Sequence, residues 1–142
     1  MKLEPKKIVY RKLNARQKEN YNFHKLSAVL ANYGYTSIRL SDDWEGADFI
    51  ALHIDGKQFL KVQLKGRPYY CKKYIGKELC IAFRDKEQWY LYPHDELLQK
   101  HGAVSKFKQS KSWKRRGEYH LPSISARLRR MLKRYALDKS DR

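Results

Sequence analysis

Cysteine is scarce: Cys71 and Cys80 are the only two in 142 residues, and neither belongs to a CxxC pair or has paired histidines nearby. A structural zinc site is therefore not expected, and both are read as reduced thiols, Cys80 in a strand and Cys71 in a loop. Long apolar runs are missing too. Nothing approaches the roughly 20 residues needed to span a bilayer, and the N-terminal MKLEPKKIVY has no apolar secretion core. A cytoplasmic protein without a membrane partner is the expectation. Acidic residues are few, 15 Asp plus Glu against 32 Lys plus Arg, which leaves a formal charge of +17. Such an excess draws a polyanion by releasing its condensed counterions, unless it serves only as a solvated surface.

The abundant residues are aromatic and basic: 13% of the chain is Phe, Trp or Tyr, with 11 tyrosines. Its length suits one domain with a single core. Residues 1–12 form a basic arm. Asn14 then caps a helix whose Phe23, Leu26, Leu30 and Tyr33 recur at helical spacing, and Gly34 stops it. YTSIRL (35–40) reads as a first strand, SDDWEG (41–46) as a polar turn, and ADFIALHI (47–54) as a second strand. This meets KQFLKVQL (57–64) across Asp55-Gly56, among the strongest hairpin signals.

A two-residue turn places Ile54 opposite Lys57 and, counting back, Asp48 opposite Gln63. Lys65 lies one step along the same face. Directly opposed side chains have Cβ atoms about 4.5–5.5 Å apart, so an acid, an amide and an amine converge at the end of the hairpin away from its turn. A three-residue loop would put Asp48 on the other face. A carboxylate and an amide oxygen suit a hard divalent cation, and a lysine beside them can orient a water. The plainer alternative is an Asp–Lys ion pair beside a glutamine at a strand end.

The order helix, strand, Asp48, hairpin, Gln63-Leu64-Lys65 resembles the core of the PD-(D/E)XK nuclease superfamily, and VQLK is similar to the QxK variant of group I intron-associated endonucleases. The resemblance covers roughly residues 14–92. It implies an α+β (α/β) restriction-endonuclease-like core, with Asp48 as ligand of Mg²⁺ (or Mn²⁺), Gln63 as second ligand through its amide oxygen, and Lys65 assisting the attacking water. Most members carry a carboxylate where Gln63 stands, and many add an acid from the first helix. Glu19 is the candidate for that role, with Asp42, Asp43 and Glu45 as competitors.

GRPYYCKKYIGK (66–77) interleaves Tyr69, Tyr70 and Tyr74 with Arg67, Lys72, Lys73 and Lys77. That pattern suits a nucleic-acid groove, or else a tyrosine-rich loop packed on the sheet. ELCIAF (78–83) and QWYLYP (88–93) complete a mixed sheet of about five strands, and HDELLQK (94–100) is a short helix. Residues 100–142 hold 14 lysines and arginines against Glu118, Asp138 and Asp141. In them SKFKQSKSWKRRGEYH (105–120) reads as a mobile binding loop. Pro122 and Ser123 then open a basic amphipathic helix with Ile124, Leu128, Met131, Leu132 and Tyr135 on its apolar side. The expected organisation is arm 1–12, nuclease core 13–100, and a basic loop and helix 101–142 packed on the same domain.

The expected function is metal-dependent hydrolysis of phosphodiester bonds, in double-stranded DNA by preference. Phosphate contacts would come from Arg67, Tyr69, Lys72, Lys73, Lys111, Trp113, Lys114, Arg115, Arg116, Arg127, Arg130 and Arg134. Double-strand cutting by a one-site domain favours a homodimer. Two other classes compete: an inactive nucleic-acid-binding module on the same fold, and a basic structural protein such as a ribosome-associated one. The latter explains the charge and leaves the convergence of Asp48, Gln63 and Lys65 to chance.

Overall fold

A computed structural model describes residues 1–139, so the last three residues of the expected 101–142 segment lie outside the described residues. Helix α1 (Ala15–Ala31) begins where Asn14 accepts from the Gln17 amide at 2.8 Å while the Gln17 side chain accepts from the Asn14 amide at 2.9 Å. This reciprocal capping satisfies two orphan donors of the first turn. Gly34, at φ +83°, takes the left-handed conformation that turns the chain out of the helix. Phe23, Leu26 and Leu30 form its buried stripe, whereas Tyr33, expected to continue it, is 43% exposed.

Among the described residues seven strands follow in two sheets: β1 (Tyr35–Trp44), β2 (Ala47–His53), β3 (Phe59–Leu64), β4 (Tyr69–Cys71), β5 (Leu79–Asp85), β6 (Gln88–Pro93) and β7 (Glu118–His120). The main sheet runs β1-β2-β3-β5-β6 and is mixed, since β3 pairs parallel with β5 and every other pairing is antiparallel. Its helices are α1, α2 (His94–Gly102) and α3 (Ala126–Leu132). The architecture is α+β, with elements in the order the restriction-endonuclease resemblance implies. Among the described residues no helix is long and apolar enough to cross a membrane.

The β2–β3 hairpin has its expected register, with Phe49 opposite Val62 and Leu52 opposite Phe59. Its turn is wider than expected. Ile54 and Lys57 do not pair; the last backbone bond runs from the His53 amide to the Gln58 carbonyl at 3.0 Å. Four residues replace the expected two, and because both numbers are even, every side chain keeps its face. Asp55 organises the turn by accepting from the Gln58 and Lys57 amides at 2.9 and 2.8 Å, which brings its carboxyl down to about 2.

Four expectations are corrected. The segment Ser41–Trp44 is not a polar turn but part of β1, running through a break in register after Arg39 until Trp44 pairs with Ala47. Cys71 and the tyrosines before it are not in a loop: β4 pairs with β7 in a small second sheet. The basic segment 105–120 folds into short helical turns at Phe107–Gln109 and Ser112–Arg116, followed by β7, because Phe107 and Trp113 are buried. The C-terminal helix also starts later than Pro122, at Ala126, where Ser125 accepts from the Leu128 amide at 3.1 Å.

Two cores result. On one face of the sheet α1 packs Phe23, Leu26 and Leu30 against Phe49, Ala51, Val62, Ala82 and Trp89. On the other, Ile81, Phe83 and Tyr92 meet Tyr70, α2, Phe107, Trp113 and the Leu128 and Leu132 of α3. This second core contains two buried histidines. His94 accepts from the Cys71 amide through Nε2 at 2.9 Å and bonds Asp95 through Nδ1 at 2.8 Å, while His101 Nδ1 lies 2.9 Å from the Tyr70 hydroxyl. Burial, the main cause, holds both imidazoles below their ordinary value of 6.5.

The unfolded chain therefore binds protons that the folded chain resists, and stability is complete above about pH 6.5 and is lost as pH falls below it. Urea midpoints should drop between pH 7.5 and 5.5, and the double variant His94→Gln/His101→Gln should show a shallower drop. A wild-type profile flat over that range would contradict the assignment.

Candidate functional site

Asp48 stands one residue after the turn that joins β1 to β2. That turn is forced: Glu45 and Gly46 have φ of +53° and +91°, and a Cβ on Gly46 would lie 2.6 Å from Cε1 of Tyr74. Only glycine lets the Tyr74 ring pack so closely. Alternation along β2 sets Asp48 on the face opposite Phe49, and hence away from α1. Its Oδ2 accepts from the Leu64 amide at 2.8 Å, which ties the start of β2 to the end of β3.

Burial pushes the Asp48 carboxyl above the ordinary range, against the pull of the Leu64 amide. The charges of Glu19 and Asp43 push the same way and Lys65 opposes them, so all three lie within electrostatic reach of Asp48. Gln63 shares its face on β3, and its Oε1 is buried with no hydrogen-bond partner among the described residues. An unpaired buried carbonyl costs about 1–3 kcal/mol, so its presence beside a desolvated carboxylate calls for an electropositive partner. The Tyr74 hydroxyl flanks the pair; burial raises it and the Gln63 amide lowers it.

Lys65 follows β3, with its amide donating to the Ala82 carbonyl at 2.9 Å. Its ammonium rests 4.2 Å from the centroid of the Tyr69 ring, and the Tyr69 hydroxyl donates to Glu118 at 2.7 Å. The lysine thus lies between Asp48 on one side and Tyr69 with Glu118 on the other. Glu19 projects from α1, which packs on the other face, and lines a cleft with Lys65 at the strand ends, where it is half exposed, 3.7 Å from Arg39 Nη2, and its charge still reaches Asp48. Of the competing acids, Glu45 binds Lys61 at 2.8 Å, a contact that holds its carboxyl low, while Asp42 and Asp43 are exposed on the second half of β1.

Among the described residues there is no group of three His, Cys, Asp or Glu side chains placed to hold a metal ion. The donor set near Asp48 is one carboxylate and one orphaned amide oxygen, with Glu19 and Asp43 close enough to add negative charge. Hard oxygen donors of this kind fit Mg²⁺ or Mn²⁺ rather than a soft metal.

The expected phosphate contacts divide. Arg67, Lys72, Lys73, Lys111, Lys114, Arg115, Arg116, Arg127, Arg130 and Arg134 are all exposed. Tyr69 and Trp113 are not available to stack on bases. Tyr69 is covered by Lys65 and by His120, whose ring centroid is 4.4 Å away, and Trp113 meets Phe107 edge to face at 5.7 Å in the second core. Among aromatic residues in basic segments, burial is what the sequence pattern leaves unread.

No family model matches the chain, and no curated protein matches it. Among solved structures the chain is similar to Hjc, a Holliday junction resolvase from the archaeal hyperthermophile Archaeoglobus fulgidus. The two have a TM-score of 0.39 and 16% identity, over 49% of this chain and 74% of that one.

Proposed function

We propose that this chain is a divalent-metal-dependent nuclease of the PD-(D/E)XK type, in its QxK form, that hydrolyses phosphodiester bonds in DNA. The observation that carries the reading is the orphaned Oε1 of Gln63, buried next to the desolvated carboxylate of Asp48 with Lys65 at the strand end. Asp48 and Gln63 would hold Mg²⁺ or Mn²⁺, with Glu19 as the third oxygen donor. When bound, such an ion supplies Lewis acidity to a phosphate oxygen and to water.

The chain's own groups do the rest. Lys65 donates a hydrogen bond from its ammonium and orients the attacking water while offsetting charge on the phosphate. The Tyr69 ring beneath it fixes where that ammonium sits. The exposed arginines and lysines attract the backbone without reading its sequence.

A second reading, a binding module on the same fold, draws on the Lys65 ammonium resting over Tyr69 and on the lack of a three-acid cluster among the described residues. Incubation with supercoiled plasmid at low salt separates the two. The nuclease reading expects nicked or linear product with Mg²⁺ or Mn²⁺, none with EDTA, and at least a hundredfold slower product formation by Lys65→Ala. Retention of uncut plasmid regardless of metal or substitution would favour the binding module. Linear product formed without a nicked intermediate would support action as a homodimer.

A further inference from the structure

On the α1 face of the sheet, next to Lys65, lies a cleft of about 540 Å³. Its walls are the N-terminal segment at Tyr10, the first turns of α1, and the turn between β5 and β6. We infer that this cleft is a second nucleic-acid site, which holds the strand adjoining the bond at Asp48 by clamping its backbone between Lys18, Arg84 and Lys86. The inference rests on the nucleic-acid part of the proposed function and moves the main contact from the exposed C-terminal cations to a concave surface.

The clamp is built in advance. The Arg84 guanidinium sits 5.1 Å from the Tyr10 ring centroid and 5.8 Å from those of Tyr21 and Trp89, so three rings hold it in place. Lys18 lies 5.5 Å from the centroid of the same Tyr10 ring. None of Lys18, Arg84 and Lys86 pairs with a carboxylate among the described residues, whereas Glu19, the acid lining the cleft, faces Arg39 at 3.7 Å. Cations held by rings and left without counter-charges bind an anion with little further loss of freedom.

Two features select a nucleotide strand over free phosphate. The cleft borders the candidate site at the end of β3, because Leu64 and Lys65 line it while the Leu64 amide is held by Asp48. Asn22 donates through Nδ2 to the Tyr10 hydroxyl at 2.9 Å, and its Oδ1 is buried in the cleft wall without a partner among the described residues. An ionised phosphodiester has no proton to give that oxygen, but a base amino group or sugar hydroxyl does.

The test is fluorescence anisotropy with a labelled duplex oligonucleotide in EDTA, where cleavage does not enter. Lys18→Gln/Arg84→Gln should raise Kd at least tenfold and make the salt slope shallower by about 2, one unit for each phosphate no longer neutralised. Since Arg84 also packs against three rings, Lys18→Gln/Lys86→Gln, which leaves the guanidinium on them, should raise Kd by a similar factor. Lys57→Gln/Lys133→Gln, of equal charge change on exposed surfaces elsewhere, should raise Kd no more than about twofold if the cleft is the site. Equal losses in cleft and control pairs would overturn the inference, as would displacement of the oligonucleotide by inorganic phosphate but not by chloride at equal ionic strength. Failure of plasmid cleavage with the cleft effect intact would overturn the nuclease reading alone.

Discussion

Asp48→Asn should abolish metal-dependent nicking, slowing it about a thousandfold or more, while leaving the protein at least as stable as wild type in EDTA. The loss follows from removing the one carboxylate that the site contributes from the sheet; a charge interaction worth several kcal/mol at a phosphoryl centre corresponds to three or more decades in rate. The retained stability follows from the sign of the Asp48 shift. Its carboxyl is raised by burial, so ionisation at neutral pH costs folding free energy, a cost that shrinks as pH falls through the raised value and is gone only below the ordinary carboxylate range.

Asparagine keeps an oxygen for the Leu64 amide and carries no charge to desolvate. Mg²⁺ or Mn²⁺ should raise the melting temperature of the wild type and not of the variant, since only a species that binds the folded site stabilises it. A variant that nicks at the wild-type rate, or whose melting temperature responds to metal like the wild type, would remove Asp48 from the mechanism.

Trp113→Ala should cost about 3–5 kcal/mol, the range for truncating a buried tryptophan. Trp113 is 7% exposed, packs edge to face on Phe107, and carries the Lys72 ammonium 5.2 Å above its ring. A domain of this size has about 5–15 kcal/mol in all, so the loss would be visible as a large drop in urea midpoint. Trp113→Phe should recover part of it. Were Trp113 a stacking platform for bases, the alanine variant would instead bind DNA more weakly at unchanged stability, and that result would refute the buried role.

The contrast between these two residues shows what the sequence alone could convey. Asp48, Gln63 and Lys65 were readable together because Asp55-Gly56 marks the hairpin and strand alternation carries the register to its far end, even across a wider turn than expected. Trp113 was not readable. Its neighbours Lys111, Lys114, Arg115 and Arg116 point to a solvated loop, and only packing by distant residues buries the ring between them. β4 and β7 escaped for a related reason: strands of three residues each show no alternation, and their extended form comes from pairing with one another. The second half of β1 was hidden by Ser41-Asp42-Asp43, residues that favour turns and that lie in the register break between Arg39 and Trp44. The cleft is drawn from an arm, a helix and a hairpin turn, and no spacing in the chain links Lys18 to Arg84.

The small β4–β7 sheet also orders events during folding. α1 and the β1–β2–β3 hairpins are assembled from neighbours in the chain, whereas β4 must wait for residues 118–120, and β3 must pair in parallel with β5 across a long crossover. Local contacts close early because they cost less chain entropy, and distant ones close late. The face that carries Asp48, Gln63 and Lys65 therefore stays open to water until the second sheet docks and Tyr69 comes to rest under Lys65. A nascent chain lacking β7 would have its hairpin register and its acid in place, with the lysine still unanchored.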